Sequence, residues 1–414
     1  MRTFCCLLLT FTLTTTLLAA DKTDTFKDKV DKALAACKWS PITYGYGNMT
    51  EKVLTQSIQM GESFMLKNQL PAGNFAYEYN WGTKGDNPAD SSVRQGGALW
   101  GISTFYLYHK NPKTALAIEK AYDFFKSHTK TIHNNGLHII YPGSRGSETG
   151  CVALVSLGII EYLRAGGPKD KNKKREMEKT LDGYLEYLVS QRMADGHFAR
   201  AYLITPQKKR VERSSQYFDG EALLCLIKAA KYLGKKKYIP QIESSLRACA
   251  EKYTFAWMYD GKPDRTKGFY QWGTMSFYEY SQANWKDSEL YKKICLFLAH
   301  WMIYHHHTLR RRRNTAYAHE GLIHALLIAR QKKEKKITSA IETVVHRGLH
   351  KLMRWQVGGP LRNLNRHLLD GGADDKRALG GFQNHRKEKG LRIDVTQHQG
   401  HAMLLAQKHL FVKK

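Results

Sequence analysis

Two kinds of hydrophobic run alternate along the chain. In one, apolar residues recur every three or four positions and leave a polar face, the pattern of a helix buried on one side. In the other, small and apolar residues surround nearly the whole circumference, as in a helix packed on several sides. Six runs of the second kind each open on a glycine. They are Gly97 with Leu99, Ile102, Phe105 and Tyr106; Gly150 with Ala153, Leu154, Leu157 and Ile160; and Gly220 with Ala222, Leu223, Leu226 and Ala229. The later three are Gly273 with Met275, Phe277 and Tyr280; Gly321 with Leu322, Ile323, Ala325 and Leu326; and Gly400 with Ala402, Met403 and Leu404.

The one-sided helices end alike. Gln69 is followed by Gly73 and Phe75, Gln191 by Asp195, Gly196 and Phe198, and Gly380-Gly381-Phe382 closes the last. The polar residue and glycine make a turn, and the aromatic packs it down. Each unit therefore reads as an outer helix, a glycine-aromatic turn and an inner helix. The glycines of successive inner runs are 48 to 79 residues apart, which fits a ring with loop insertions better than the regular period of an open solenoid. Strand signals are weak and local, as around His138-Ile139-Ile140-Tyr141. The expected fold is all-α: an (α/α)6 toroid, six helical hairpins around a central funnel, in a single domain over residues 21–414.

This layout, with segments such as Tyr217-Phe218-Asp219-Gly220-Glu221-Ala222 and Gly380-Gly381-Phe382, resembles the six-hairpin glycosidase-like superfamily over nearly all of residues 50–410. The resemblance to terpenoid cyclase and prenyltransferase toroids is more distant. It implies a fold rather than a reaction, because this architecture hosts hydrolases, lyases, epimerases and cyclases.

Charge and compartment narrow the partners. Lys and Arg total 65 against 37 Asp and Glu, a formal net charge of +28, alongside 23 Tyr, 16 Phe and 8 Trp. Residues 1–20 carry Arg2, an apolar stretch from Phe4 to Leu18 and a small pair, Ala19-Ala20, before a polar segment. That is the pattern of a secretory signal peptide, too short and too Thr-rich for a membrane span. The mature chain is expected to start near Asp21 and to be secreted or periplasmic. Beyond the leader remain Cys37, Cys151, Cys225, Cys249 and Cys295, an odd number without a CxxC pair, which argues against a disulfide framework.

If the inner helices point their N-termini to one face, their unpaired N–H groups and dipoles gather there and favour anions. The residues at that end are the candidates for chemistry. Asp219, Asp394, Glu320 and Glu148 are the carboxylates expected to act as acid, base or nucleophile, and His398 and His319 as acid or base. Arg94, Gln95, Tyr217, Trp272, Tyr317 and Arg392 are expected to bind substrate, the aromatics by offering stacking faces to sugar rings. The bland reading of any one carboxylate there is a helix cap. Glu221 lies one residue inside its helix and is a less direct candidate.

His305-His306-His307 diverge on a helix, and His319 and His324 stand five apart rather than four, so no metal and no cofactor is expected. Basic runs such as Arg310 to Arg313, just ahead of Tyr317, suit an anionic partner. The export signal and the lack of a recognised module exclude nucleic acid. Three functions follow from this. The first is an exported carbohydrate-active enzyme, a glycoside hydrolase acting on an acidic poly- or oligosaccharide. The second is a polysaccharide lyase or sugar epimerase using Tyr217, His319, His398 and Arg94. The third, of another class, is a non-catalytic toroid that binds an anionic or neutral glycan, or a protein. A cyclase ranks below these, since Asp374-Asp375 is the nearest approach to a DxDD cluster.

Overall fold

The computed structural model describes residues 25–132, 136–205, 209–259, 263–369 and 375–411. Residues 1–20, where a signal peptide is expected, and Asp374 lie outside them.

A first helix, α1 (Phe26–Ala35), is followed by six outer–inner pairs: α2 (Glu51–Lys67) with α3 (Ser92–Tyr108), α4 (Pro112–Ser127) with α5 (Thr149–Arg164), and α6 (Lys171–Ser190) with α7 (Gln216–Tyr232). The later pairs are α8 (Ile239–Tyr253) with α9 (Pro263–Ser281), α10 (Ser288–Tyr304) with α11 (Ala316–Gln331), and α12 (Lys335–Met353) with α13 (Ile393–Ala406). Each inner helix packs on the next, and α13 packs back on α3, so the inner helices close into a ring. The fold is the expected (α/α)6 toroid. In α5, 14 of the 16 residues are buried, which is why its sequence shows no polar stripe. α1 packs against α10 outside the ring.

Gly150 is the second residue of α5, but the other five glycines lie well inside their helices. Gly220 lies five residues after Ser215, the N-cap of α7, and a Cβ there would sit 2.3 Å from Cβ of Trp272 on α9. A Cβ on Gly400 would sit 2.4 Å from the Phe105 ring on α3. At both points an aromatic of the neighbouring inner helix fills the place a side chain would take, and only a missing side chain lets it in.

The hairpin turns follow the sequence closely. Gly73, Gly196 and Gly380 have φ of +108°, +86° and +94°, a region open mainly to glycine. The Phe that follows each of them is bridged to the preceding outer helix end: Gln69 with Phe75, Arg192 with Phe198, Gln356 with Phe382. An inner helix then fastens each turn through its fourth residue. Gln95 Oε1 accepts the Phe75 N–H at 2.8 Å, Asp219 Oδ1 accepts the Phe198 N–H at 2.8 Å, and Thr396 Oγ1 accepts the Phe382 N–H at 3.1 Å.

Small antiparallel sheets join the loops. β1 (Glu78–Asn80) lies between β2 (Gly85–Asp86) and β8 (Gly390–Arg392), so the first hairpin is stitched to the last. β3 (Thr129–Thr131) pairs with β4 (Leu137–Ile139), where the sequence shows its local strand signal. β5 (Gly146–Glu148), β6 (Ala201–Leu203) and β7 (Arg210–Val211) form the third sheet.

The C-terminal ends of the inner helices carry a buried ion cluster. Lys228 Nζ lies 2.5 Å from Glu161 and Lys231 Nζ lies 2.6 Å from Glu279. Burial alone would keep the Glu279 carboxyl neutral; Lys228 and Lys231 outweigh it and hold its pKa down at about 2. No described helix is long and apolar enough to cross a membrane.

Candidate active site

At the other end, the N-terminal turns of the inner helices surround a cavity of about 690 Å³. Of the residues the sequence singled out, Arg94, Tyr217, Trp272, Tyr317, Arg392, Asp394 and His398 line it. Trp272 forms part of the floor, 5.2 Å from Trp100 between ring centroids and edge-on to His398 at 6.1 Å. Tyr217 stands at the rim, 45% exposed, and Tyr317 is held by His306 Nε2 at 2.9 Å.

His398 is the best-supported group in the cavity. Its Nδ1 lies 3.0 Å from the Gln271 amide and 3.2 Å from Glu320 Oε2. With the Nδ1 proton directed at Glu320, Nε2 is the basic nitrogen of the neutral ring. Glu320 is fully buried behind the ring, and its other oxygen binds His401 Nδ1 at 2.6 Å. Burial favours the neutral imidazole, but the Glu320 carboxylate, with a smaller contribution from Asp394, outweighs it and raises the His398 pKa above its ordinary value.

Asp394 is bracketed by two guanidinium groups. Arg392 reaches it through Nε at 3.0 Å and Nη2 at 2.8 Å, and Arg94 through Nε at 3.1 Å. Arg94 also donates to the Tyr77 hydroxyl. Burial opposes ionisation of Asp394, yet the arginines prevail and keep its pKa below the usual carboxylate range. A carboxylate held this way is a weak proton donor; it sets the two arginines in place.

Five expected site residues do not line the cavity: Glu320, buried behind His398, and four others that make contacts elsewhere. Asp219 is fully buried, with the Phe198 N–H on Oδ1 and the Tyr253 hydroxyl (2.6 Å) and His197 Nδ1 (2.9 Å) on Oδ2. It is a turn clamp. Gln95 does the same work for Phe75 and also donates to Asp90. His319 is fully buried toward α12, so close to Gly348 that a Cβ there would overlap its ring, and burial pushes its pKa down to about 3. Glu148 accepts the Ser92 hydroxyl at 2.5 Å and is not among the residues that line the cavity. The Arg310 to Arg313 run also points elsewhere: Arg310 lies over the Tyr44 ring and Arg311 donates to the His306 carbonyl, while Asn314 and Ala316 reach the cavity.

Arg200, Arg213 and Lys267 also line the cavity and went unread in the sequence. Arg200 and Arg213 flank the β6–β7 hairpin, are exposed, and have no acidic partner among the described residues. Arg213 stands three residues before the start of α7, which is the one signal that pointed to it.

His197, Asp219 and Cys249 place their donor atoms within 4.8 Å of one another. Asp219 already has three partners there, and the group lies in the core rather than in the cavity. Cys37, Cys151, Cys225, Cys249 and Cys295 are free thiols.

No family model and no curated protein matches the sequence. Solved structures do. A sugar epimerase from a ruminal bacterium superposes with a TM-score of 0.60 at 14% identity, covering 88% of this chain and 100% of that one. A D-mannose isomerase gives 0.62 at 11% identity, over 87% of this chain and 98% of its own. An unsaturated glucuronyl hydrolase from a Bacillus species gives 0.55 at 13% identity, over 85% and 96%. At such identities the likeness is one of fold. The chain shares the (α/α)6 toroid fold of these three proteins.

Proposed function

We propose that this chain is a carbohydrate-active enzyme that moves a proton on an acidic sugar, as an epimerase or isomerase does. The observation that carries this reading is His398. It lines the cavity, it is oriented by Glu320 and Gln271, and its free nitrogen is available to take a proton from carbon. Five cationic side chains, Arg94, Arg200, Arg213, Lys267 and Arg392, share that cavity with Asp394 and Glu221. Such surroundings suit a uronate carboxylate and the enolate that forms when its α-proton leaves.

Glycoside hydrolysis is the second reading, and Glu221 favours it. Burial, helped by Glu148, pushes the Glu221 carboxyl up to about 8, so it is neutral at pH 7 and able to protonate a leaving oxygen. Hydrolysis also needs a free carboxylate partner, and Asp394 is engaged by two arginines. The apolar leader supports action outside the cytoplasm, secreted or periplasmic.

The experiment is a product analysis of the mature chain on acidic and neutral oligosaccharides. A new epimer or isomer, without new reducing ends, is the expected result. New reducing ends would favour hydrolysis, and unsaturated products a lyase.

A further inference from the structure

Glu221 is a buried acid with one carboxyl oxygen unpartnered among the described residues. It is 3% exposed, its Oε2 has no hydrogen-bond partner, and it lines the cavity. An orphaned carboxyl oxygen in the core is costly, and in native structures such a group marks a catalytic role, stored strain or a bound water or ion. Gly150 lets that oxygen pack where it does: a Cβ there would come within 2.5 Å of it.

Its position in the ring gives it a role. Among the inner helices, Glu221 belongs to α7, the third, and His398 to α13, the sixth. In a closed ring of six, these helices are diametrically opposed. The two residues therefore border one cavity from opposite walls. Inverting a carbon centre by proton transfer needs that arrangement, because the proton leaves one face of the carbon and another arrives on the opposite face.

We propose that Glu221 and His398 form a two-sided acid–base pair that inverts the carbon next to a carboxylate or carbonyl of the bound sugar. This deepens the epimerase reading and rests on it. His398 Nε2 takes the proton from carbon, and the C–H electron pair moves onto the neighbouring oxygen as an enolate. Arg94 and Arg392 stand beside it to offset the charge. The electron pair then returns to carbon, which takes the Glu221 carboxyl proton on the other face. The products are the inverted sugar, a protonated His398 and an ionised Glu221. The reverse reaction starts from that state, and exchange with water at the open mouth resets it. No co-reactant is consumed.

The test uses the intact mature chain in D2O with a uronate-containing oligosaccharide, following inversion and deuterium at the inverted carbon by NMR. Glu221→Gln should slow inversion by about 10²-fold or more. It should still wash deuterium into the starting sugar, since His398 can remove and return the proton on its own face. His398→Asn should stop that exchange. Inversion at the wild-type rate in Glu221→Gln, with His398→Asn inactive, would overturn the pairing and leave the epimerase reading standing. Absence of exchange in the wild type on every sugar offered would overturn both. Glu221→Asp guards against a folding artefact: it keeps the acid but shortens its reach, so inversion should slow while exchange continues. Unchanged inversion in Glu221→Asp together with wild-type inversion in Glu221→Gln would again contradict the pairing.

Discussion

Asp219 accepts the backbone N–H of Phe198 at 2.8 Å, and this one bond ties the third inner helix to the turn that precedes it. The same carboxyl takes the Tyr253 hydroxyl and His197, so its removal strands three buried polar groups. Asp219→Ala should lower unfolding free energy by about 3 kcal/mol or more in urea titration. Asp219→Asn keeps an oxygen for Phe198 and should cost less, with turnover of the folded protein preserved. A fully stable but inactive Asp219→Asn protein would return this residue to the chemistry.

Glu320 holds a proton on His398, so the free base accumulates only above the raised pKa of that ring. Glu320→Gln removes the attraction and lets the pKa fall. The acidic limb of the pH–rate profile should move to lower pH, and the His398 ring signals in an NMR titration should move with it. Arg392 also bears on His398 and pushes in the same direction as the loss of Glu320, so the shift should not be masked.

Glu221 gives the opposite kind of pH dependence. Its folded pKa, about 8, is above the ordinary 4.5, so the folded state binds this proton more tightly than the unfolded one. Its contribution to stability is present in full below pH 4.5 and is lost as the pH rises through about 8. Glu221→Gln should therefore gain melting temperature over the wild type at pH 9 and show little gain at pH 5.

Lys228 sits at the far end of the ring from the cavity, between Glu161 and Glu279. Lys228→Met leaves two buried carboxylates without their shared cation and should cost about 3–5 kcal/mol of stability. Catalysis by the fraction that remains folded should be unchanged. Denaturation midpoints and specific activity, measured on one preparation, separate the two effects.

Arg200 and Arg213 line the cavity and have no acidic partner among the described residues, so their replacement tests the substrate's charge directly. The double Arg200→Ala, Arg213→Ala protein should raise KM for acidic saccharides and leave KM for neutral ones alone. The difference should shrink in high salt, where screening acts over a few ångströms.

The fold was legible because burial leaves a periodic trace. Helices packed all round, as α5 is, show no polar stripe, and the positive-φ turns need glycine at Gly73, Gly196 and Gly380. Five of the six glycines were misread as helix starts, because a close crossing and a helix start both call for a small residue; Gly150 does open α5. Gly220 and Gly400 answer to Trp272 and Phe105, which are remote in sequence.

The cavity end was legible for the same reason, but the facing of each side chain was not. His319 and Glu320 are neighbours in the chain, yet one turns to α12 and the other to His398, since successive helical residues are about 100° apart. Arg200 and Arg213 come from a strand hairpin outside the helical repeat, which periodicity does not reach.

The claim that His398 removes a proton from the carbon of an acidic sugar is tested most directly by incubating the wild type and His398→Asn with a uronate-containing oligosaccharide in D2O. Mass spectrometry then counts the deuterium bound to carbon. The account predicts one deuterium per sugar acted on in the wild type and none in His398→Asn, with both proteins folded. Turnover without deuterium on carbon, or equal incorporation by both proteins, would contradict it.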